Sequence, residues 1–158
     1  MEKVILTNMC LIENKATDEV VIINRKNAWP GFAFPGGHIE DGEPIVPSVI
    51  REVKEETGLD IENVELCGIR DWYDPLKNER NVVFMFKTSS FSGTLIDKTH
   101  EGDVFWKKLT DIKDEEYAEG LNLEIGIFFK KEINECFSAY NSVDKKWSFI
   151  KYWVNYDK

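Results

Sequence analysis

Apolar and β-branched residues cluster in two runs near the start of the chain, residues 4–12 and 19–24, separated by the polar stretch Glu13-Asn14-Lys15-Ala16-Thr17-Asp18. This pattern predicts two strands joined as a hairpin. Trp29-Pro30-Gly31 interrupts, residues 32–34 form a short extended run, and Pro35-Gly36-Gly37 predicts a break with unusual backbone angles. The spacing then turns helical. Over Ile45–Thr57, Val46, Val49, Ile50, Val53 and Thr57 fall on one stripe, the pattern of a face packed on a sheet. Gly58 stands where a left-handed residue closes a helix. Pro44 and Pro47 occupy the first turn, where backbone N–H groups lack intrahelical partners in any case. Further strands are expected over residues 64–72, 82–88 and 103–108, and a second helix from about 123 to 139. Residues 145–156 gather Trp147, Phe149, Tyr152, Trp153 and Tyr156, as a strand or a docked arm.

Composition narrows the picture. The chain has 158 residues with no repeat, low-complexity tract or linker, so one domain over 1–158 is expected, its core at about 2–140 with an aromatic tail at 141–158. With 20 Lys+Arg against 29 Asp+Glu the formal charge is −9. That balance argues against a basic grip on polymeric nucleic acid, RNA decapping included. A small phosphate ligand is still compatible, because a divalent cation can bridge acidic protein and acidic substrate. Cys10, Cys67 and Cys136 are odd in number and far apart, which speaks against a disulfide framework or a zinc site and makes a reducing cytoplasm the expected compartment. The N-terminus lacks the charged-then-apolar run of a signal peptide, and the apolar runs 20–23 and 125–129 are too short to span a bilayer, so no membrane partner is expected.

The candidate chemistry lies on the helix. Glu52, Glu55 and Glu56 are spaced i, i+3 and i+4 and share a second stripe, where like charges cost a few tenths of a kcal/mol per pair and only Arg51 and Lys54 offset them locally. Such a face is either solvated or a set of hard oxygen donors for Mg²⁺ or Mn²⁺. Its context favours the second. Pro35-Gly36-Gly37 and the acidic turn Glu40-Asp41-Gly42-Glu43 come just before it, and glycine lets a carbonyl approach a cation, or N–H groups a phosphate.

Gly37, Glu43 and Arg51-Glu52-Val53-Lys54-Glu55-Glu56-Thr57-Gly58-Leu59 match the Nudix box, G-x5-E-x7-R-E-U-x-E-E-x-G-U, at every fixed position, with Val53 and Leu59 at the aliphatic places. By composition alone such a match arises on the order of once in a million chains. The sequence therefore resembles the Nudix hydrolases over residues 37–59. The resemblance implies an α/β fold, an α/β/α sandwich with a mixed curved β-sheet, and hydrolysis of a phosphoric anhydride in a nucleotide with Mg²⁺, Mn²⁺ being possible. It also implies that Glu52, Glu55, Glu56 and the carbonyl of Gly36 ligate metal, and that Glu52 is the best general base. Arg51 then pairs with Glu43 and orients the glutamates. Glu101, in Thr99-His100-Glu101-Gly102-Asp103 ahead of Trp106, is a further acidic ligand or a solvated acid. His38 and His100 are expected in exposed or hydrogen-bonding roles.

Within the family, Leu6-Thr7-Asn8, Arg25 and Ala33-Phe34-Pro35-Gly36-Gly37-His38 look like the MutT-type branch, the 8-oxo-dGTP diphosphatases. That likeness places Asn8, Phe34 and Asn122 at the purine, Tyr117 as a stacking ring, and Arg25 and Gly37 toward phosphate. The plainer alternatives are a core Phe34, a surface Tyr117 and an Asn122 that caps the late helix. The reaction implied is a purine nucleoside triphosphate to monophosphate and pyrophosphate, linked to nucleotide-pool cleaning and so to DNA repair. The runner-up is an ADP-ribose or nucleotide-sugar diphosphatase, suggested by Pro75 sixteen residues past the box; the neighbouring Asp71-Trp72-Tyr73-Asp74 is otherwise a substrate-facing edge or an aggregation-blunting loop. A nucleotide-binding domain without turnover is disfavoured by the intact carboxylates. The expected partner is a small nucleotide, in a monomer or a homodimer joined by the aromatic tail.

Overall fold

A computed structural model describes residues 1–153. The elements in chain order are β1 (Lys3–Asn14), β2 (Glu19–Arg25), β3 (Gly31–Ala33), β4 (Gly36–His38), α1 (Ile45–Thr57), β5 (Asp60–Glu62), β6 (Glu65–Asp74), β7 (Glu79–Thr88) and β8 (Ser90–Ser92). They continue with β9 (Lys98–Thr99), β10 (Gly102–Lys107), α2 (Leu121–Glu124) running into a 3₁₀ turn at Ile125–Phe128, β11 (Ile133–Asn141) and β12 (Lys146–Trp153). The main sheet runs β12-β11-β6-β7-β1-β2-β10-β9. It is mixed: β1 is parallel to β7 and β11 to β6, while the other pairings are antiparallel.

The β1–β2 hairpin exists only beside its turn, where Glu13 faces Val20 and Asn14 faces Glu19. The strands then diverge. On its freed edge β1 pairs through Thr7, Asn8 and Met9 with β4, and β2 pairs through Ile23, Asn24 and Arg25 with β3. The segment carrying the Gly-Gly pair is thereby wedged into the opening. Gly36 and Gly37 were expected in unusual backbone angles, yet both lie in an ordinary strand and neither has a positive φ. What they provide is closeness. A Cβ on Gly36 would run into the β1 main chain at Asn8, and one on Gly37 would lie 2.5 Å from the Glu52 carboxylate.

Alternation along β1 sends Cys10 and Ile12 to one face and Leu11 to the other. Cys10 and Ile12 join the core under Val49 and Val53 of α1, and Leu11 joins Phe34, Leu121, Ile127 and Phe128 under the short helical segments. These are the two helical layers of an α/β/α sandwich. Phe128 is fully buried and sits edge-on to Phe34 with centroids 5.3 Å apart. Phe128→Ala is expected to cost about 3–5 kcal/mol in a urea titration, because it opens a cavity between the two helical turns and the sheet.

Two expectations need correction. The buried side of α1 is Ser48, Val49, Val53, Glu56 and Thr57, while Val46 and Ile50 face solvent. The helix is rotated so that Glu52 and Glu56 meet the Gly-Gly strand, at the expense of two apolar residues. The late helix ends at Phe128, and Ile133–Asn141 is a strand parallel to β6. An apolar run of this length suits either state, and the open edge of β6 decides for the strand. Of the two forms expected for the aromatic segment it takes the strand: β12 pairs antiparallel with β11 and extends the sheet past residue 140. Tyr156 lies outside the described residues. Among the described residues, no helix is long and apolar enough to cross a membrane.

Candidate active site

Helix α1 begins at Pro44 without a side-chain cap; Ser48 instead donates its hydroxyl to the Ile45 carbonyl at 2.6 Å. Gly58 closes it in the left-handed region at φ 77°, donating its N–H to the Lys54 carbonyl. These two ends place the carboxylate face against β4.

Arg51 organises that face. Its Nε and Nη2 donate to the two Glu43 oxygens at 2.7 and 2.8 Å, Nη1 donates to Glu52 at 2.9 Å and Glu55 at 3.2 Å, and Nη2 also reaches the His38 carbonyl at 3.1 Å. Glu43 additionally accepts the Glu40 N–H. The guanidinium holds the Glu43 carboxyl down at about 2, and Glu43 in turn pushes the Arg51 pKa up. One arginine thus ties the acidic turn to the helix and fixes two glutamates on it.

Glu56 is different, being 4% exposed with no cation against it among the described residues. One oxygen accepts the Gly36 N–H at 2.8 Å. Burial pushes its pKa up to about 8, opposed by that hydrogen bond and reinforced by the neighbouring Glu101 and Glu52. A buried acid facing two more carboxylates lacks a positive partner. Glu101 comes from the loop ahead of β10 and is braced by Arg25, 3.6 Å away. Glu52, Glu56 and Glu101 converge beside the Gly36 and Gly37 main chain, an all-oxygen donor set that suits a hard divalent cation. Glu55 is exposed at the rim, turned toward Arg51. Among the described residues, no three acidic, imidazole or thiol groups form a closed ligand shell.

A cavity of about 300 Å³ lies beside this face and shares Gly36, Gly37 and Glu101 with it, while Glu52, Glu55 and Glu56 do not line it. Gly36, Gly37, His38, Arg25 and Glu101 lie at its acidic end, Asn8, Phe34 and Val83 are in its floor, and Trp29, Arg70, Trp72 and Glu119 close the far end. Asn8 lines the cavity, but its amide is engaged elsewhere. The Asn8 Nδ2 donates to the Ser48 hydroxyl at 2.9 Å and Oδ1 accepts the Gly37 N–H at 3.3 Å, so the side chain braces the glycine strand to α1. Phe34 is both core and cavity floor. Tyr117 and Asn122 are not in the cavity wall; the loop ahead of α2 contributes Ala118, Glu119 and Leu121 instead. Tyr117 pairs its backbone with Phe32 while its side chain packs against the core, and burial raises its pKa. Trp72 belongs to the 71–74 segment that the sequence offered as a substrate-facing edge, whereas Arg70, Trp29 and Glu119 were missed by sequence reasoning. For Arg70 a signal exists, since residues two apart on a strand share a face. Trp29 and Glu119 sit on loops, whose placement carries no periodic signal.

The fold and this carboxylate face define a hydrolase of phosphoric anhydrides. The NUDIX domain family model matches residues 6–123, and the chain belongs to the Nudix hydrolase family, whose members generally use divalent cations and act on small nucleotides. An uncharacterized Nudix hydrolase of Bacillus subtilis, YvcI, is 33% identical over 109 residues, covering 66% of this chain and 68% of its own length. The NAD-capped RNA hydrolase NudC of Pseudomonas aeruginosa is 30% identical over 94 residues, 58% of this chain, which spans about a third of NudC (32%). Among solved structures, a MutT protein from Bacillus halodurans superposes with a TM-score of 0.78 at 25% identity, covering 93% of this chain and 97% of that one.

Proposed function

We propose that this Nudix hydrolase is a MutT-type nucleoside triphosphate pyrophosphohydrolase, converting 8-oxo-dGTP or another purine nucleotide to the monophosphate and pyrophosphate. The observation that carries this reading is the cavity, which meets the proposed cation site at Gly36, Gly37 and Glu101 and also has the aromatic walls Trp29 and Trp72. It offers one purine nucleoside a place with its phosphates at Gly36, Gly37 and Arg25. The likeness to the Bacillus halodurans MutT protein over nearly the whole of both chains adds support.

Glu52, Glu56, Glu101 and the Gly36 carbonyl would hold the cation, with Glu55 at its solvent side. When bound, the cation screens the anhydride charge and lowers the pKa of an attacking water. Glu52 takes up the proton as general base, its carboxylate held by Arg51. Arg25 turns to the phosphates; its Nε is buried with no hydrogen-bond acceptor among the described residues. In-line displacement then needs positioning more than covalent help. The Pro75 argument for ADP-ribose weakens, because Pro75 sits in the tight turn between β6 and β7 and does not line the cavity.

The test is product chromatography with Mg²⁺ and, separately, 8-oxo-dGTP, dGTP, dATP, ADP-ribose, NAD and a UDP-sugar. Monophosphate plus pyrophosphate, fastest from 8-oxo-dGTP, is the expected result. AMP from ADP-ribose or NAD with triphosphates untouched would replace it with the diphosphatase reading.

A further inference from the structure

Beside the catalytic cavity lies a second one of about 240 Å³ that shares Trp29, Arg70, Trp72 and Glu119 with it. Its outer wall comes from the β11–β12 hairpin through Trp147 and Phe149, beyond the residues matched by the family model. Three large apolar side chains around it are left to water: Trp29 is 47% exposed, Leu123 49% and Trp147 40%. Their contiguity is unusual on a surface of this charge. Trp29 is also held at φ 56°, a backbone conformation that side-chain-bearing residues adopt rarely and at some cost. That conformation sets its ring edge-on to Trp72, with centroids 6.3 Å apart.

The charges point one way. The Arg70 guanidinium lies 4.9 Å from the Trp72 ring centre and is paired with Glu124, whose carboxyl burial pushes up to about 7, so above that pH the two cancel. Glu119 is exposed at the junction of the two cavities and has no ion-pair partner among the described residues. The groove therefore carries one uncompensated negative charge, and aromatic faces add the negative side of their quadrupoles. Trp72 already receives one cation on its ring. A neutral or anionic ring would leave Glu119 unanswered; a planar cation answers both it and the tryptophans.

We propose that this aromatic, acidic groove recognises a positively charged aromatic ring, and that it admits nucleotides whose purine is N-alkylated and cationic. Alkylation of adenine N1 gives the purine a delocalised positive charge and leaves it planar. With phosphates at Gly36 and Gly37, the base is the part of the nucleotide that reaches the Trp29–Trp72–Glu119 junction. The inference rests on the nucleotide reading above for how the ligand is oriented.

The test is calorimetric titration at pH 8 with 1-methyladenosine 5′-monophosphate, whose base keeps its positive charge there, and with AMP. Neither probe has an anhydride to hydrolyse. The methylated nucleotide is expected to bind roughly tenfold tighter, and in Glu119→Gln or Trp147→Ala that preference is expected to fall to about twofold or less. Both side chains are exposed, and circular dichroism checks that the variants are folded. Equal affinity for the two probes, binding of neither, or a preference that survives Glu119→Gln would overturn the inference. Failure here is separable from failure of the hydrolase reading. Release of pyrophosphate from dGTP without discrimination removes the groove proposal alone. Discrimination without hydrolysis of any triphosphate removes the catalytic one alone.

Discussion

Glu56→Gln is expected to cut turnover by roughly a hundredfold or more and, at the same time, to stabilise the cation-free protein at pH 8. The first effect follows if Glu56 is a cation ligand, because an amide oxygen donates more weakly and carries no charge. The second follows from burial. Glu56 is 4% exposed and its pKa rises from the ordinary 4.5 to about 8. Below the ordinary value both folded and unfolded chains hold the proton, and the group contributes nothing to pH dependence. Between about 4.5 and 8 the unfolded chain ionises while the folded one stays protonated, so stability falls as pH rises. Glutamine keeps an oxygen for the Gly36 N–H and has no proton to lose. The gain at pH 8 should be on the order of 2 kcal/mol, or about 4–8 °C in Tm. Glu124, raised by burial to about 7, leaves a residual slope in both proteins. Thermal melts in EDTA at pH 5 and 8, with steady-state rates at saturating Mg²⁺, measure both effects. Near-wild-type turnover would remove Glu56 from the cation site, and identical melting curves at pH 8 would refute its buried, protonated state.

The two adjacent glycines should separate folding from catalysis. Gly36→Ala puts a methyl group into the β1 main chain, against the Asn8 carbonyl and 2.7 Å from the Met9 Cα. Backbone cannot step aside without breaking the β1–β4 pairing. A loss of about 3 kcal/mol or more, or failure to accumulate as folded protein, is expected. Gly37→Ala first meets the Glu52 carboxylate, 2.5 Å from the new Cβ. A side chain can swing away, so stability should change by less than about 1 kcal/mol. Glu52 is then displaced from the position in which Arg51 holds it, and the rate should fall roughly tenfold to a hundredfold. Urea titration and kcat on the same two variants decide the matter. A fully active Gly37→Ala would mean that the position of Glu52 at that strand is irrelevant to the reaction.

Much of the acidic face was legible in the sequence because its determinants are local. Helical spacing puts Glu52 and Glu56 one turn apart, and a glycine that tolerates a left-handed φ ends the helix at Gly58. Local signals failed where a long-range partner decided the outcome. The helix expected from about 123 to 139 stops at Phe128, and residues 133–141 form a strand because β6 has an edge to fill. The amide of Asn8 looked available for a base and is consumed by Ser48 and Gly37, residues 40 and 29 positions away. The pair of glycines suggested unusual dihedral angles, whereas the need they meet is contact with a strand that passes almost thirty residues earlier.

By itself, then, the sequence determined the family, the main helix and the set of acids on it, since each depends on spacings within a few residues. Only the tertiary structure decided which of those acids is buried, which walls close the cavity, and that a C-terminal hairpin supplies part of a second groove. Those outcomes depend on where β1 leaves β2 and on which edges pair across the chain. Burial and charge compensation are properties of such assembled neighbourhoods, and no single segment carries them.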